Sequence, residues 1–282
     1  MKTIPLTLIT TIALASCSAE SPDTSAATSA QWQLVNNFEQ PDALEAWTNI
    51  DVQNETDPFV PNAQVTEVRR EAGTDNQFLI RKPAADGIVG NRKALSFTAL
   101  PTPIEVGETY TLYTRINVEY FPNNHSYGLS NLPMTEIPDA NYDAFEPMIR
   151  ITDKAESDGF KNDGTLMVLS GYKTYDKIFN PMTGAAAKPL EPGVWYEVWA
   201  VINNASAEDG GQTYDLYVRG GEFPTQELVY GGATFRVKRE APLTAFIAIT
   251  NTGSKKQPYG NGGVGYDDIY IAKNEVLSSP LK

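Results

Sequence analysis

Between Tyr120 and Asn180 the chain gathers side chains that could move protons or hold a sugar. His125, the only histidine, has Tyr127 close by, and Tyr142, Arg150, Tyr172, Lys173, Tyr175 and Lys177 follow. Tyrosine rings offer flat apolar faces to the C–H face of a sugar, while arginine and asparagine fix its hydroxyls or carboxylates. Arg150 shares a strand face with Met148 and Thr152, and from there its guanidinium can grip an acidic sugar through two parallel hydrogen bonds. A salt bridge to Glu146 or Asp153 is the structural alternative for the same residue. Tyr172 and Tyr175, with Lys173, would make a binding platform at the rim, or would simply pack.

The same region contains the residue types for abstracting a proton next to a uronate carboxylate. That reaction needs a base near neutral pKa and a cation on the carboxylate. His125, Tyr127, Arg150 and Tyr172 have those properties. His125 also lies among Asn123, Asn124 and Ser126, in what reads as a polar loop where a histidine is often only solvated. The absence of HExxH, a phosphate-binding loop, a Gly-x-Ser-x-Gly elbow and a Cys–His pair argues against a serine, cysteine or zinc mechanism. The paired-carboxylate strand Glu-x-Asp-x-x-Glu of sandwich-fold glycosidases is absent as well.

The single cysteine, Cys17, ends the run Leu14-Ala15-Ser16-Cys17. Ahead of it come one charge, Lys2, and an apolar stretch from Ile4 to Ala15 that is too short to span a bilayer, the pattern of a secretion signal over residues 1–16. Leu-Ala-Ser-Cys resembles the lipobox of bacterial lipoproteins, in which the cysteine becomes the first residue and carries acyl chains such as palmitate. Ser18 in the next position resembles an outer-membrane sorting signal of Gram-negative bacteria. The alternative is an ordinary signal peptide cut near Ala19. Each buried methylene contributes about 0.8 kcal/mol, so two or three acyl chains would hold the protein on a membrane essentially permanently. Residues 17–30, rich in Ser, Ala and Thr, read as a flexible tether.

These residues must be positioned by the remaining part, 31–282, a length suited to one large all-β domain. With 35 acidic against 22 basic residues the formal charge is −13, which argues against nucleic acid as a partner. The periodicity is that of strands. Tyr110, Leu112, Ile116 and Val118 alternate with Thr111, Arg115 and Asn117. Tyr196, Val198, Ala200 and Ile202 oppose Trp195, Glu197, Trp199 and Val201, so neither face of that strand is polar enough to lie fully in water. Further strands are predicted at 77–81, 94–99, 147–153, 165–171, 213–219, 233–238, 244–250 and 265–272, with a helical turn at 42–47. Many strands separated by Gly-rich turns imply an all-β, two-sheet antiparallel jelly-roll sandwich.

In Val264-Gly265-Tyr266-Asp267-Asp268-Ile269-Tyr270-Ile271, strict alternation puts Asp267 beside Ile269 and Ile271, on the core side. A carboxylate there needs backbone amides or a cation. Glu39 offers a second carboxylate near the start of the domain. If the first and last strands lie side by side, Glu39, Asp267 and backbone carbonyls would make an oxygen-only site suited to calcium.

The opening Phe38-Glu39 followed by Trp47, and the closing Tyr266-Asp267-Asp268-Ile269-Tyr270, resemble jelly-roll carbohydrate-binding modules and concanavalin-like, laminin-G-like lectin sandwiches. Gly193-Val194-Trp195-Tyr196-Glu197-Val198 and Tyr214-Asp215-Leu216-Tyr217-Val218-Arg219-Gly220-Gly221 are similar to the middle strands of those families. The resemblance implies a structural calcium at Glu39 and Asp267. Taken with the lipobox and with the residue types between Tyr120 and Asn180, it points either to a polysaccharide-binding lipoprotein using Arg150, Tyr172, Lys173 and Tyr175, or to a jelly-roll lyase acting on an acidic glycan. In such lyases a histidine or tyrosine is the base and a tyrosine the acid. A non-catalytic envelope assembly protein is the third reading.

Overall fold

The computed structural model describes residues 31–156 and 159–281. Cys17, the expected signal and the expected tether lie outside the described residues. Seven strands open the domain: β1 (Gln33–Asn36), β2 (Thr48–Asp51), β3 (Val65–Arg70), β4 (Gln77–Lys82), β5 (Ala94–Ile104), β6 (Thr109–Val118) and β7 (Asn124–Ser130). A short helix, α1 (Ile137–Ala140), and a 3-10 turn at Asn141–Ala144 lead into β8 (Phe145–Thr152), β9 (Met167–Gly171) and β10 (Thr174–Lys177). A small hairpin, β11 (Phe179–Asn180) and β12 (Ala185–Ala186), precedes β13 (Trp195–Asn203), β14 (Thr213–Gly220), β15 (Phe223–Thr234) and β16 (Leu243–Thr250). A second small hairpin, β17 (Gly253–Ser254) and β18 (Gln257–Pro258), precedes the closing strand β19 (Val264–Lys273).

Two antiparallel sheets face each other, as the alternating pattern predicts. The first runs β15-β14-β13-β6-β19-β4-β3, with β1 also paired to β19; the second runs β10-β9-β8-β7-β16-β5-β2. Their shared core takes Leu112, Ile116 and Val118 from β6, Tyr196, Val198 and Ile202 from β13, and Ile149 and Ile151 from β8. These are the alternate positions that period two sends to one face. The outer face of β13 is also apolar, and Trp199 is buried there with its indole N–H donating to the Ser278 carbonyl. No described helix is long and apolar enough to cross a membrane.

Three local expectations change. Residues 124–130, read as loop, form β7 in the middle of the second sheet. Segment 233–238 is mostly the continuation beyond β15, which starts ten residues earlier at Phe223. On β19 the register against β6 shifts between Asp267 and Tyr270, and Asp268 takes a positive φ of 50°. This bulge lets Tyr266 and Ile269, three residues apart, both face the core. Asp267 therefore lies opposite Arg115 on the outer face and not on the core side, because the extra residue breaks the alternation from which its placement was inferred.

Candidate functional site

The outer face of the second sheet carries a second apolar cluster, with Leu95, Phe97, Met148, Leu169, Ile247 and Ile249, roofed by Ile137 and Ala144. Beside it the face turns polar. Arg150 projects there from β8, only 5% exposed, and Asn124 and Thr152 pair across β7 and β8 next to it. The alternation that sends Ile149 and Ile151 into the shared core sends Arg150 to this side.

Arg150 is held from three directions. Its Nη2 lies 2.7 Å from Glu156 Oε1 and donates more weakly, at 3.4 Å, to Asn124 Oδ1. Its guanidinium carbon sits 4.6 Å from the Tyr175 ring centroid, a cation–π stack. Neither sequence candidate for its salt bridge is used: Glu146 is paired with Arg239 and accepts the Val237, Lys238 and Arg239 amides. Glu156 is itself clamped by Lys154 and by Asn162 Nδ2 at 2.8 Å.

The site extends past Tyr175. The Tyr175 hydroxyl accepts from Arg236 Nη1 at 3.1 Å, and Arg236, 4% exposed, is fixed by Asp143 at 2.9 Å. Tyr172 stands exposed at the rim, with Lys173 Nζ 4.6 Å and the Arg236 guanidinium 5.6 Å from its ring centroid. Tyr142, from the 3-10 turn, has an enclosed hydroxyl, and burial raises its pKa above that of an ordinary phenol.

Three adjoining cavities follow this line, of about 430, 280 and 480 Å³. Arg150 and Tyr175 join the first to the second, and Tyr142 and Arg236 join the second to the third. Their walls carry five basic side chains (Lys93, Arg150, Lys154, Lys173, Arg236) against three acidic ones (Asp139, Asp143, Glu156). A chain with net charge −13 thus lines one cleft with an excess of cations and with tyrosine rings.

The structure brings together Arg150, Tyr172, Lys173 and Tyr175, and separates His125 and Tyr127 from them. On β7 the side chains of His125 and Tyr127 face the space between the sheets, while Ser126 pairs with Arg150 on the cleft side. His125 is fully buried, and its Nε2 donates to the Gly262 carbonyl at 2.8 Å. Burial pushes its pKa down to about 3, so the ring is neutral throughout the physiological range. Tyr127 packs with Phe246 and Tyr266, and burial raises its pKa far above the usual phenol value. Neither residue can be a base in this cleft. The sequence reading missed Glu156, Lys154, Arg236 and Asn124; the basic run Arg236-Val237-Lys238-Arg239 was a usable signal for one of them.

The residues expected to hold calcium do not fit it. β1 does pair with β19, as expected. Glu39 Oε1, however, accepts from the Gln77 amide at 2.8 Å. Asp267 is bonded by Asn76 Nδ2 at 2.9 Å, by Arg115 Nη1 at 3.2 Å and by the Asp268 amide. The Asp267 carboxylate thus already has a guanidinium, an amide side chain and a backbone amide as partners. Among the described residues no group of three or more His, Cys, Asp or Glu side chains could hold a metal ion.

No protein-family model matches this chain, and no curated protein sequence matches it. Solved structures do resemble it. A PL-14 alginate lyase from Aplysia kurodai superposes with a TM-score of 0.52 at 11% identity, covering 88% of this chain and 100% of that one. The exoplasmic/lumenal domain of VIP36, in a Ca2+/Man3GlcNAc-bound form, gives 0.46 at 6% identity over 84% and 89%. A GH131 beta-glucanase catalytic domain from Podospora anserina gives 0.45 at 10% identity over 72% and 74%. At these identities the likeness to the first is one of fold, a jelly-roll sandwich.

Proposed function

We propose that this chain is a lipid-anchored glycan-binding protein of the cell envelope that takes an acidic polysaccharide into the cleft around Arg150. The observation that supports it most is the excess of basic side chains and tyrosine rings in one cleft of an otherwise acidic protein. Tyr175 and Tyr172 offer faces to sugar rings, and Arg150, Arg236 and Lys173 offer charge to carboxylates. A solved structure of similar fold is named an alginate lyase, a protein that acts on a glycan, which agrees with a glycan as the partner. The lipid at Cys17, an outer-membrane location and the tether over residues 17–30 belong to the same proposal. Calcium at Glu39 and Asp267 does not, because Arg115 and Asn76 hold the Asp267 carboxylate.

The second reading, a lyase, is favoured by one contact. Arg236 places a cation on the Tyr175 oxygen, the atom a phenolate base would use, within the cleft that contains the carboxylate-binding Arg150. Against it, the only histidine faces away, and the Tyr142 phenol is shifted up, away from neutrality. Affinity gel electrophoresis against acidic and neutral polysaccharides, with parallel recording of the ultraviolet absorbance of unsaturated uronates, separates these readings. Retention by acidic polymers without new absorbance is the expected result. New absorbance that Tyr175→Phe abolishes would make the protein a lyase. Silence in both assays would leave the envelope assembly role.

A further inference from the structure

The interior of the sandwich contains a cation that the cleft does not use. Arg81 points inward from β4 and is 0% exposed. Its Nη2 donates to Gln64 Oε1 at 3.0 Å and to the Ala94 carbonyl at 3.2 Å, whereas Nε and Nη1 have no protein partner. Asp51, whose charge favours the protonated guanidinium, makes no ion pair with it and is linked to it through Gln64, whose Nε2 donates to Asp51 Oδ1 at 2.8 Å. Arg81 makes no ion pair among the described residues. Burial lowers its pKa only to about 10, so the group is charged at neutral pH.

The surroundings are rich in donors. Arg81 pairs across from Val264, which puts Tyr266 at the diagonal position, within reach of a long side chain. The field of Arg81 acts on both Tyr266 and His125. The hydroxyls of Tyr266 and Tyr127, whose rings lie 5.5 Å apart, have no protein partner, nor does His125 Nδ1. With Nε2 donating to Gly262, His125 Nδ1 is an acceptor, and each of the two phenol hydroxyls can donate or accept. An anion would accept from Arg81 Nε and Nη1 and also offset the buried positive charge, which a water cannot do.

We infer that a monovalent anion, with halide as the probe, binds inside the sandwich against Arg81 Nε and Nη1, with the Tyr266 hydroxyl as a further donor. A single negative charge balances the one unpaired guanidinium, whereas a dianion would leave a buried charge of the opposite sign. The site lies on the inner face of the first sheet, so it is independent of the cleft around Arg150.

Crystals of the protein grown with sodium bromide should give an anomalous peak within hydrogen-bond range of Arg81 Nε or Nη1. In solution, exchanging isethionate for chloride at constant ionic strength should raise Tm by several degrees in a saturable way. Arg81→Met should abolish that response, and Tyr266→Phe should weaken it, which keeps the test usable if the first variant does not fold. Water density or no density at Arg81 in the bromide crystals overturns the proposal, as does a chloride response unchanged in either variant.

Discussion

Arg150 lies against Tyr175 with its guanidinium carbon 4.6 Å from the ring centroid, and the Tyr175 hydroxyl is in turn held by Arg236 at 3.1 Å. The ring thus sits between two guanidinium groups drawn from β8 and from the segment after β15. One tyrosine fixes the spacing of two cations along the cleft.

Removing either partner should therefore weaken ligand binding by more than its own contact. A hydrogen bond to a charged group is worth about 1.5–3 kcal/mol, so Arg150→Ala should lower affinity for an acidic polysaccharide by about 10- to 100-fold. Arg150→Lys should recover only part of it, because an ammonium cannot provide the planar fork. Titration calorimetry at low and moderate salt is the measurement; affinity unchanged in Arg150→Ala would place the ligand elsewhere.

His125 should behave as a core residue. His125→Ala is expected to leave polysaccharide retention intact while lowering Tm, as it leaves the Gly262 carbonyl without its donor. Its pKa in the folded protein, about 3, lies below the ordinary value of 6.5, so folding favours the neutral ring. That contribution is complete above about pH 6.5 and is lost as the pH falls toward 3. Denaturation monitored between these limits should show wild type losing more stability than His125→Gln.

Asp267 should give the opposite slope. Burial, and then the neighbouring Asp268, raise its pKa from 3.8 to about 7. The folded state favours the protonated acid, so its contribution is present below pH 3.8 and lost as the pH rises through 7. Asp267→Asn does not titrate, and its Tm relative to wild type should climb between pH 5 and pH 8. A difference that stays flat over that interval would show that Arg115 keeps the carboxylate ionised throughout.

Chelation should leave the melting temperature unchanged, since Glu39 and Asp267 are satisfied by Gln77, Asn76, Arg115 and the Asp268 amide. A fall in Tm on adding EDTA, restored by calcium, would reverse that conclusion.

Gly262 should tolerate no side chain. A Cβ there would lie 2.0 Å from the Tyr120 carbonyl oxygen, which is backbone and cannot swing aside. Gly262→Ala should therefore shift the 260–263 segment and pull the carbonyl off His125, costing about 1–3 kcal/mol in denaturant titrations.

Much of this architecture was legible in the chain. Period-two alternation in β6 and β13 settles which side chains meet between the sheets, and the double apolar face of β13 announced that Trp199 would be covered. Arg150, Tyr172, Lys173 and Tyr175 could be read as a group because they sit on or near neighbouring strands of one sheet edge. What sequence could not supply was facing, wherever one residue decides it. Asn124 and Ser126 face the cleft and His125 the core because β7 is a central strand, and that depends on pairing with β8 and β16, far away in the chain. Likewise the bulge at Asp268 turns Asp267 outward onto Arg115, and Glu156 and Arg236 reach the cleft from loops whose course only the packed sheets define. Local residue types fix the strands and their periodicity, because those depend on backbone and side-chain preferences over a few residues. Register, bulges and long-range pairing depend on the total burial of two sheets, and they decided which of the candidate residues share a site.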